Sequence, residues 1–179
     1  LLYRFLVKMG ARVSYYIPER QSEGYGLNLE ALEHIISDGA SLVITVDCGI
    51  SSYDIVEAVC DRIDIIITDH HTAPPQIPPA RAVINHKQPD CPYTDQNLSG
   101  VGVAFKLCQA LWVRQCGEWY LDDLDIVALG TVADVVPLVG ENRIIVQAGL
   151  KKMNELPNLG IDKLIDVAGL HDKTITAGH

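Results

Sequence analysis

The chain has 179 residues, 48% of them hydrophobic, and a formal net charge of −9. No apolar run approaches the ~18–20 residues of a membrane-spanning helix, so the bounds fit a soluble, cytoplasmic domain of ordinary size, or one lobe of a larger protein. A charge of this sign argues against a simple nucleic-acid-binding module, which meets phosphates with a basic face; bound metal ions are the obvious alternative source of positive charge.

Leu1 is no initiator Met, and Leu2, Phe5, Leu6 and Met9 recur at helical spacing, so the sequence reads as beginning inside a helix. The last residues, TITAGH, form no closing element, and the chain is expected to be a piece cut at both ends. Further along, RVSYYIP (12–18) predicts a strand, and NLEALEHIISDG (28–39) a helix capped by Asn28 with Gly39 just past its end. LVITV (42–46) predicts a strand, SSYDIVEAVCD (51–61) a helix, IDIIIT (63–68) a strand and ARAVIN (80–85) a shorter one. Strands apolar on both faces, separated by helices of about ten residues, predict an α/β fold, a doubly wound parallel sheet.

The second half reads as helical. SGVGVAFKLCQALWVRQ (99–115) has Ser99 as its cap, and LDDLDIVALGTVAD (121–134) places three Asp in its first turn, where the helix dipole favours them. NRIIVQAGLKKMNEL (142–156) and IDKLIDVAG (161–169) complete the set. We place the parallel α/β part at about 1–97 and the helical part at about 98–179 of one domain. Cys48, Cys60, Cys91, Cys108 and Cys116 are odd in number and include no C-x-x-C pair, which predicts reduced thiols, mostly as small core residues, and no zinc ribbon.

In open α/β sheets, ligands bind beyond the carboxyl ends of the strands. Asp47 stands just past LVITV, and Asp69, His70 and His71 stand just past IDIIIT. Adjacent parallel strands lie about 5 Å apart, so Asp47 and His70 can ligate one ion. Asp134 sits among Val132, Ala133, Val135 and Val136, company in which a buried carboxylate needs a cation. A mixed carboxylate and imidazole set without thiolates suits Mn²⁺ or Mg²⁺, and His70 favours Mn²⁺. Each residue also has a plainer reading: Asp47 as a helix cap, His70 as a hydrogen-bonded edge residue, Asp134 as a solvated face. Their joint occurrence at matching topological positions favours the metal.

These blocks, VDCGIS, TDHH, LSGVGVAFKL and GTVADVVPLVGENR in that order, resemble the DHH phosphoesterase family. Within it they are most similar to the RecJ-type single-stranded-DNA-specific exonucleases, with EGYGLN and INHKQPDCPY adding to the match. The resemblance implies a Rossmann-like parallel α/β domain that hydrolyses phosphodiesters with two divalent cations, commonly Mn²⁺. It implies that Asp47 bridges the ions, that His70 and Asp134 join an upstream Asp around one of them, that His71 contacts the scissile phosphate, and that Asp69 orients the histidines. The family's first motif, an Asp-x-Asp-x-Asp-Gly segment, does not occur in these residues, so the piece by itself is expected to be inactive.

The intact protein is then expected to act 5′ to 3′ on single-stranded DNA in repair and recombination, beside a helicase or single-strand-binding protein. Alternatives are a phosphodiesterase of short oligonucleotides or cyclic dinucleotides, a manganese-dependent pyrophosphatase, and a non-catalytic scaffold of the same fold. Ser99, Gly100 and Gly102 fit either a phosphate-holding turn or a capped packing helix. Asn85, His86 and Lys87 follow a strand end and are candidates to face the cleft; Arg143 can pair with Asp134 or touch substrate. His34, His171 and His179 read as surface or packing residues. Trp112, Trp119, Tyr15 and Tyr16 suit core or interface roles better than a base-stacking platform.

Overall fold

The computed structural model describes residues 1–19, 21, 24 and 26–179. Among them run α1 (Leu2–Lys8), α2 (Leu29–Ser37), β1 (Leu42–Val46), α3 (Tyr53–Glu57), β2 (Asp64–Thr68), β3 (Ala82–Ile84), α4 (Gly100–Cys116), α5 (Leu124–Ala133), α6 (Gly140–Glu155) and α7 (Leu159–Val167). They divide into two compact units: one is Leu6–Gln96, and the other consists of Leu1–Phe5 and Asn97–His179. No helix among the described residues is long and apolar enough to cross a membrane.

The first unit is α/β. Its three strands are parallel in the order β1-β2-β3, with Val46 opposite Thr68 and Thr68 opposite Ile84, so their carboxyl ends are level. β2 is apolar on both faces because it lies in the middle. Ile65 and Ile67 pack with Leu32, Val56, Val59 and Ile63 in the core, and each fully buried isoleucine stabilises by roughly 1.5–3 kcal/mol. Asn28 starts α2 as the sequence predicts, its side chain accepting from the Ala31 amide at 2.7 Å, and Gly39 follows its end at φ 81°.

Two local expectations fail here. Residues 12–18 form no strand: Tyr15, Tyr16 and Ile17 are exposed, so β propensity found no paired surface to cover. α3 stops at Glu57 rather than reaching 61, because the chain tightens into turns in which Val59 and Arg62 donate to carbonyls three residues back. β2 passes to β3 through residues 72–79, four prolines in eight with neither helix nor strand, as a proline-rich stretch dictates. Glu23 and Tyr25 of the EGYGLN block lie outside the described residues.

The second unit is helical. Ser99 caps α4 by accepting from the Gly102 amide at 3.2 Å, and Gly117 ends the helix at φ 77°. α5 and α6 meet at Gly149, where an added Cβ would lie 2.2 Å from the Leu124 carbonyl oxygen; only glycine allows that approach. Phe5 stacks edge-on against Tyr120 at 4.9 Å between ring centroids and against Trp112 at 6.2 Å, giving these rings the core role the sequence suggests. Trp119, by contrast, is exposed. Of the Asp cluster before α5, Asp125 lies in the first turn, whereas Asp123 accepts the Tyr120 hydroxyl and makes no cap bond. All five cysteines are free, yet only Cys108 is buried as a core residue.

Candidate metal centre

The backbone ladder continues one residue beyond each strand end. The Asp47 amide donates to Thr68 O at 3.0 Å and the Asp69 amide to Ile84 O at 3.1 Å, which brings the first polar residue after β1 beside those after β2. The turn after β1 is held by Thr45, whose hydroxyl donates to Cys48 O at 2.7 Å. Asp47 adopts φ 64°, a left-handed conformation costly for most side chains but tolerated by Asp, and Gly49 follows at φ 107°. A Cβ on Gly49 would lie 3.1 Å from Thr45 Oγ1, so position 49 needs glycine for both torsion and space.

Asp69 is the buried hub of the site, 1% exposed. Its Oδ2 accepts from the Ile50 amide at 2.9 Å, and its Oδ1 accepts from the His70 amide at 2.7 Å, the His71 amide at 3.1 Å and lies 2.7 Å from His71 Nδ1. Burial by itself would raise the pKa of this carboxyl; the bonds from Ile50, His71 and His70 outweigh it and hold the group below the usual carboxylate range. Asp69 is therefore an anion that grips the backbone of both histidines and one ring nitrogen of His71.

His70 is buried, with Nε2 3.0 Å from Asp47 Oδ1, while the half-exposed His71 ring lies 4.5 Å from that of His70 between centroids. One ligand-type atom each from Asp47, His70 and His71 falls within 4.8 Å of the others. Two imidazoles and one carboxylate converging at a sheet rim fit a divalent cation of borderline hardness. Burial, then the charges of Asp69 and Asp47, push the Cys48 thiol up to about 11. Beside the cluster opens a cavity of about 410 Å³, bordered by Gly26, Cys48, Gly49, Ser52, Asp69 and His71.

Asp134 belongs to the other unit. It is the C-cap of α5, exposed, and is followed by Val135 at φ 57°. The premise that Asp134 is buried among valines therefore fails, because the chain turns there and leaves both Asp134 and Val135 at the surface. Ser99 is fully buried, and its hydroxyl lies 3.1 Å from that of Thr131 besides capping α4, which favours the packing reading over a phosphate turn. Arg143, His34, His171 and His179 are exposed. Asn85 and His86 are buried at the end of β3, and Lys87 is half-buried. Nothing in the sequence marks the parts played by Thr45 or the Ile50 amide, since neither a mid-strand hydroxyl nor a loop N–H leaves a distinctive pattern.

The family described as "DHH family, N-terminal domain" matches residues 1–131. The single-stranded-DNA-specific exonuclease RecJ of Bacillus subtilis is 45% identical over 165 residues, which is 92% of this chain and 20% of that protein. A crystal structure of exonuclease RecJ bound to manganese aligns with a TM-score of 0.87 at 33% identity, over 98% of this chain and 45% of that one. RecJ from Thermus thermophilus in complex with Mn²⁺ aligns with a TM-score of 0.77 at 32% identity, over 94% of this chain and 24% of that one. The chain thus spans less than half the length of each of these relatives.

Proposed function

Since the chain belongs to the DHH family, whose N-terminal domain it carries, we propose that it is the metal-binding part of a 5′ to 3′ single-stranded-DNA exonuclease of the RecJ type. The reaction is hydrolysis of a phosphodiester at a 5′ end, releasing a nucleoside 5′-monophosphate, in DNA repair and recombination in the cytoplasm. The observation that carries this reading is the convergence of Asp47, His70 and His71 within 4.8 Å on the buried Asp69 hub. The 33% identity to a manganese-bound RecJ supports it further.

In this reading Asp47, His70 and Asp134 would hold divalent cations, together with an Asp upstream of these residues. Divalent cations held there, Mn²⁺ in preference to Mg²⁺, would supply Lewis-acid charge to phosphoryl oxygens and lower the pKa of an attacking water. Asp69 orients the His71 ring by its contact with Nδ1, and that ring would contact an oxygen of the scissile phosphate. The cavity beside His71 gives the terminal nucleotide a place against the loop of Gly49 to Ser52. With a charge of −9 on the chain, attraction of the strand falls to the cations and to the parts of the protein beyond these residues, where a helicase or single-strand-binding protein would deliver it.

The test is Mn²⁺-dependent digestion of 5′-labelled single-stranded DNA by the longer protein that contains this chain. Progressive release of mononucleotides, abolished by Asp134→Ala in a folded variant, is the expected result. Wild-type digestion by Asp134→Ala overturns the assignment of that residue, and hydrolysis confined to dinucleotides or pyrophosphate overturns the exonuclease.

A further inference from the structure

We infer that Asn85 is a positioning residue for the histidine pair: its carboxamide ties the backbone of His71 to the end of β3. This rests on the metal-site reading above and names a residue that sets its geometry. Asn85 is 3% exposed and follows directly on β3, whose last residue, Ile84, already receives the Asp69 amide. Both polar ends of its side chain are engaged. Nδ2 donates to His71 O at 2.9 Å, and Oδ1 accepts from the Lys87 amide at 2.7 Å.

The placement of that bond gives it its function. The Asp69 amide bond to Ile84 O fixes the start of the Asp-His-His segment, and the Asn85 bond fixes its end, two residues later. Beyond His71 the chain enters residues 72–79, with neither helix nor strand and four prolines that have no N–H to donate. The segment bearing the half-exposed His71 ring is therefore pinned across the sheet by a side chain rather than by its own continuation. With the His71 peptide fixed, the ring has one direction in which Nδ1 meets Asp69 at 2.7 Å. If the carboxamide donor is lost, His71 O is left without it and the peptide is free to rotate, which spoils the ring's contact with Asp69.

Asn85→Asp isolates the donor, because it keeps an acceptor for the Lys87 amide and sets a carboxylate oxygen against His71 O. The added negative charge by itself would strengthen cation binding, so a loss of affinity cannot come from charge. In the full chain, Asn85→Asp is expected to keep wild-type sheet amide shifts while Mn²⁺ affinity by calorimetry falls at least about tenfold, because the loosened segment carries the ligand His70. The ring ¹⁵N shifts of His71, read without metal, are expected to depart from wild type. If either readout stays at its wild-type value, the inference is overturned.

Should the variant fail to fold, the wild-type chain decides. A scalar coupling across the hydrogen bond from Asn85 Nδ2 to the His71 carbonyl carbon supports the tie, and its absence overturns it. Failure of the wild-type chain to take up Mn²⁺ counts against the metal reading, and the ring shifts then still judge Asn85 by themselves.

Discussion

Asp47 and Asp134, both metal ligands on the sequence reading, stand in unlike settings. Asp47 occupies the rim of a parallel sheet, with His70 Nε2 3.0 Å away and a buried anion, Asp69, holding the neighbouring residues in place. Asp134 caps the carboxyl end of α5 at the surface, where the helix dipole disfavours a negative charge. Asp47 is itself left-handed at φ 64°, whereas Asp134 is right-handed at φ −77° and only Val135, directly after it, is left-handed at φ 57°. Asp tolerates that region, but a β-branched residue there costs of order 1–3 kcal/mol, so the strain lies beside Asp134 in the helical unit. One carboxylate is held by a network built before any cation arrives; the other is held against local preference.

The sharpest way to break that contrast is Asp69→Ala. It removes the acceptor of the Ile50, His70 and His71 amides and of His71 Nδ1, and buried donors left without partners cost about 1–3 kcal/mol each before water enters. We expect a loss of about 3 kcal/mol or more in urea unfolding together with loss of Mn²⁺ binding. A loss under about 1 kcal/mol would mean that the rim is not prebuilt.

How much of this was legible in the sequence follows from the same physics. β1 coincides with the predicted LVITV, and β2 starts one residue late, because a five-residue apolar run bounded by polar residues has one reading in a parallel sheet. The strand ends then led directly to Asp47, Asp69, His70 and His71. Residues 12–18 carry the same β propensity but depend on a partner strand, which composition does not reveal. Asp134 stands out in the sequence for its apolar neighbours, yet a turn at Val135 exposes them, so burial is not what sets this carboxylate apart. Asn85 and the Ile50 amide act through backbone groups distant in sequence, and only a folded chain brings those groups together.

The helical unit depends on packing instead of polar networks, and two changes sharpen that side. Gly149→Ala would set a Cβ 2.4 Å from that of Ala128 as well as against the Leu124 carbonyl, forcing α5 and α6 apart. The overpacking costs typically 1–3 kcal/mol, against about 1 kcal/mol gained in helix propensity, so we expect a net loss of about 1–2 kcal/mol. Asp47, His70 and His71 lie in the other unit, so their amide shifts without metal should stay at wild-type values.

Tyr120 gives the helical unit a pH dependence. Burial first, then the hydrogen bond to Asp123, raises its phenol well above the ordinary value of 10.0. The sign follows from linkage. The phenol stays neutral in the fold while it ionises in the unfolded chain, so its contribution is intact below about pH 10 and is lost as pH rises past that value. The slope is at most about 1.4 kcal/mol per pH unit. Urea unfolding at pH 9 and 11 should therefore show a smaller alkaline loss in Tyr120→Phe than in wild type.

The smallest effect bears most directly on the two carboxylates. If Asp134 is kept for a cation and not for the fold, Asp134→Asn removes an unfavourable charge from the end of α5 and should stabilise the metal-free chain by about 0.3–1 kcal/mol. Asp47→Asn has no such dipole to relieve, and its amide would meet His70 Nε2 in place of the carboxylate oxygen at 3.0 Å, so its metal-free stability should stay level or fall. Thermal unfolding of both variants without divalent ions and again in excess Mn²⁺ separates the two cases. A gain for Asp134→Asn that disappears in Mn²⁺ indicates a ligand held at a cost to the fold. A loss without metal would make Asp134 a structural residue, and the difference between the two carboxylates would then lie only in their exposure.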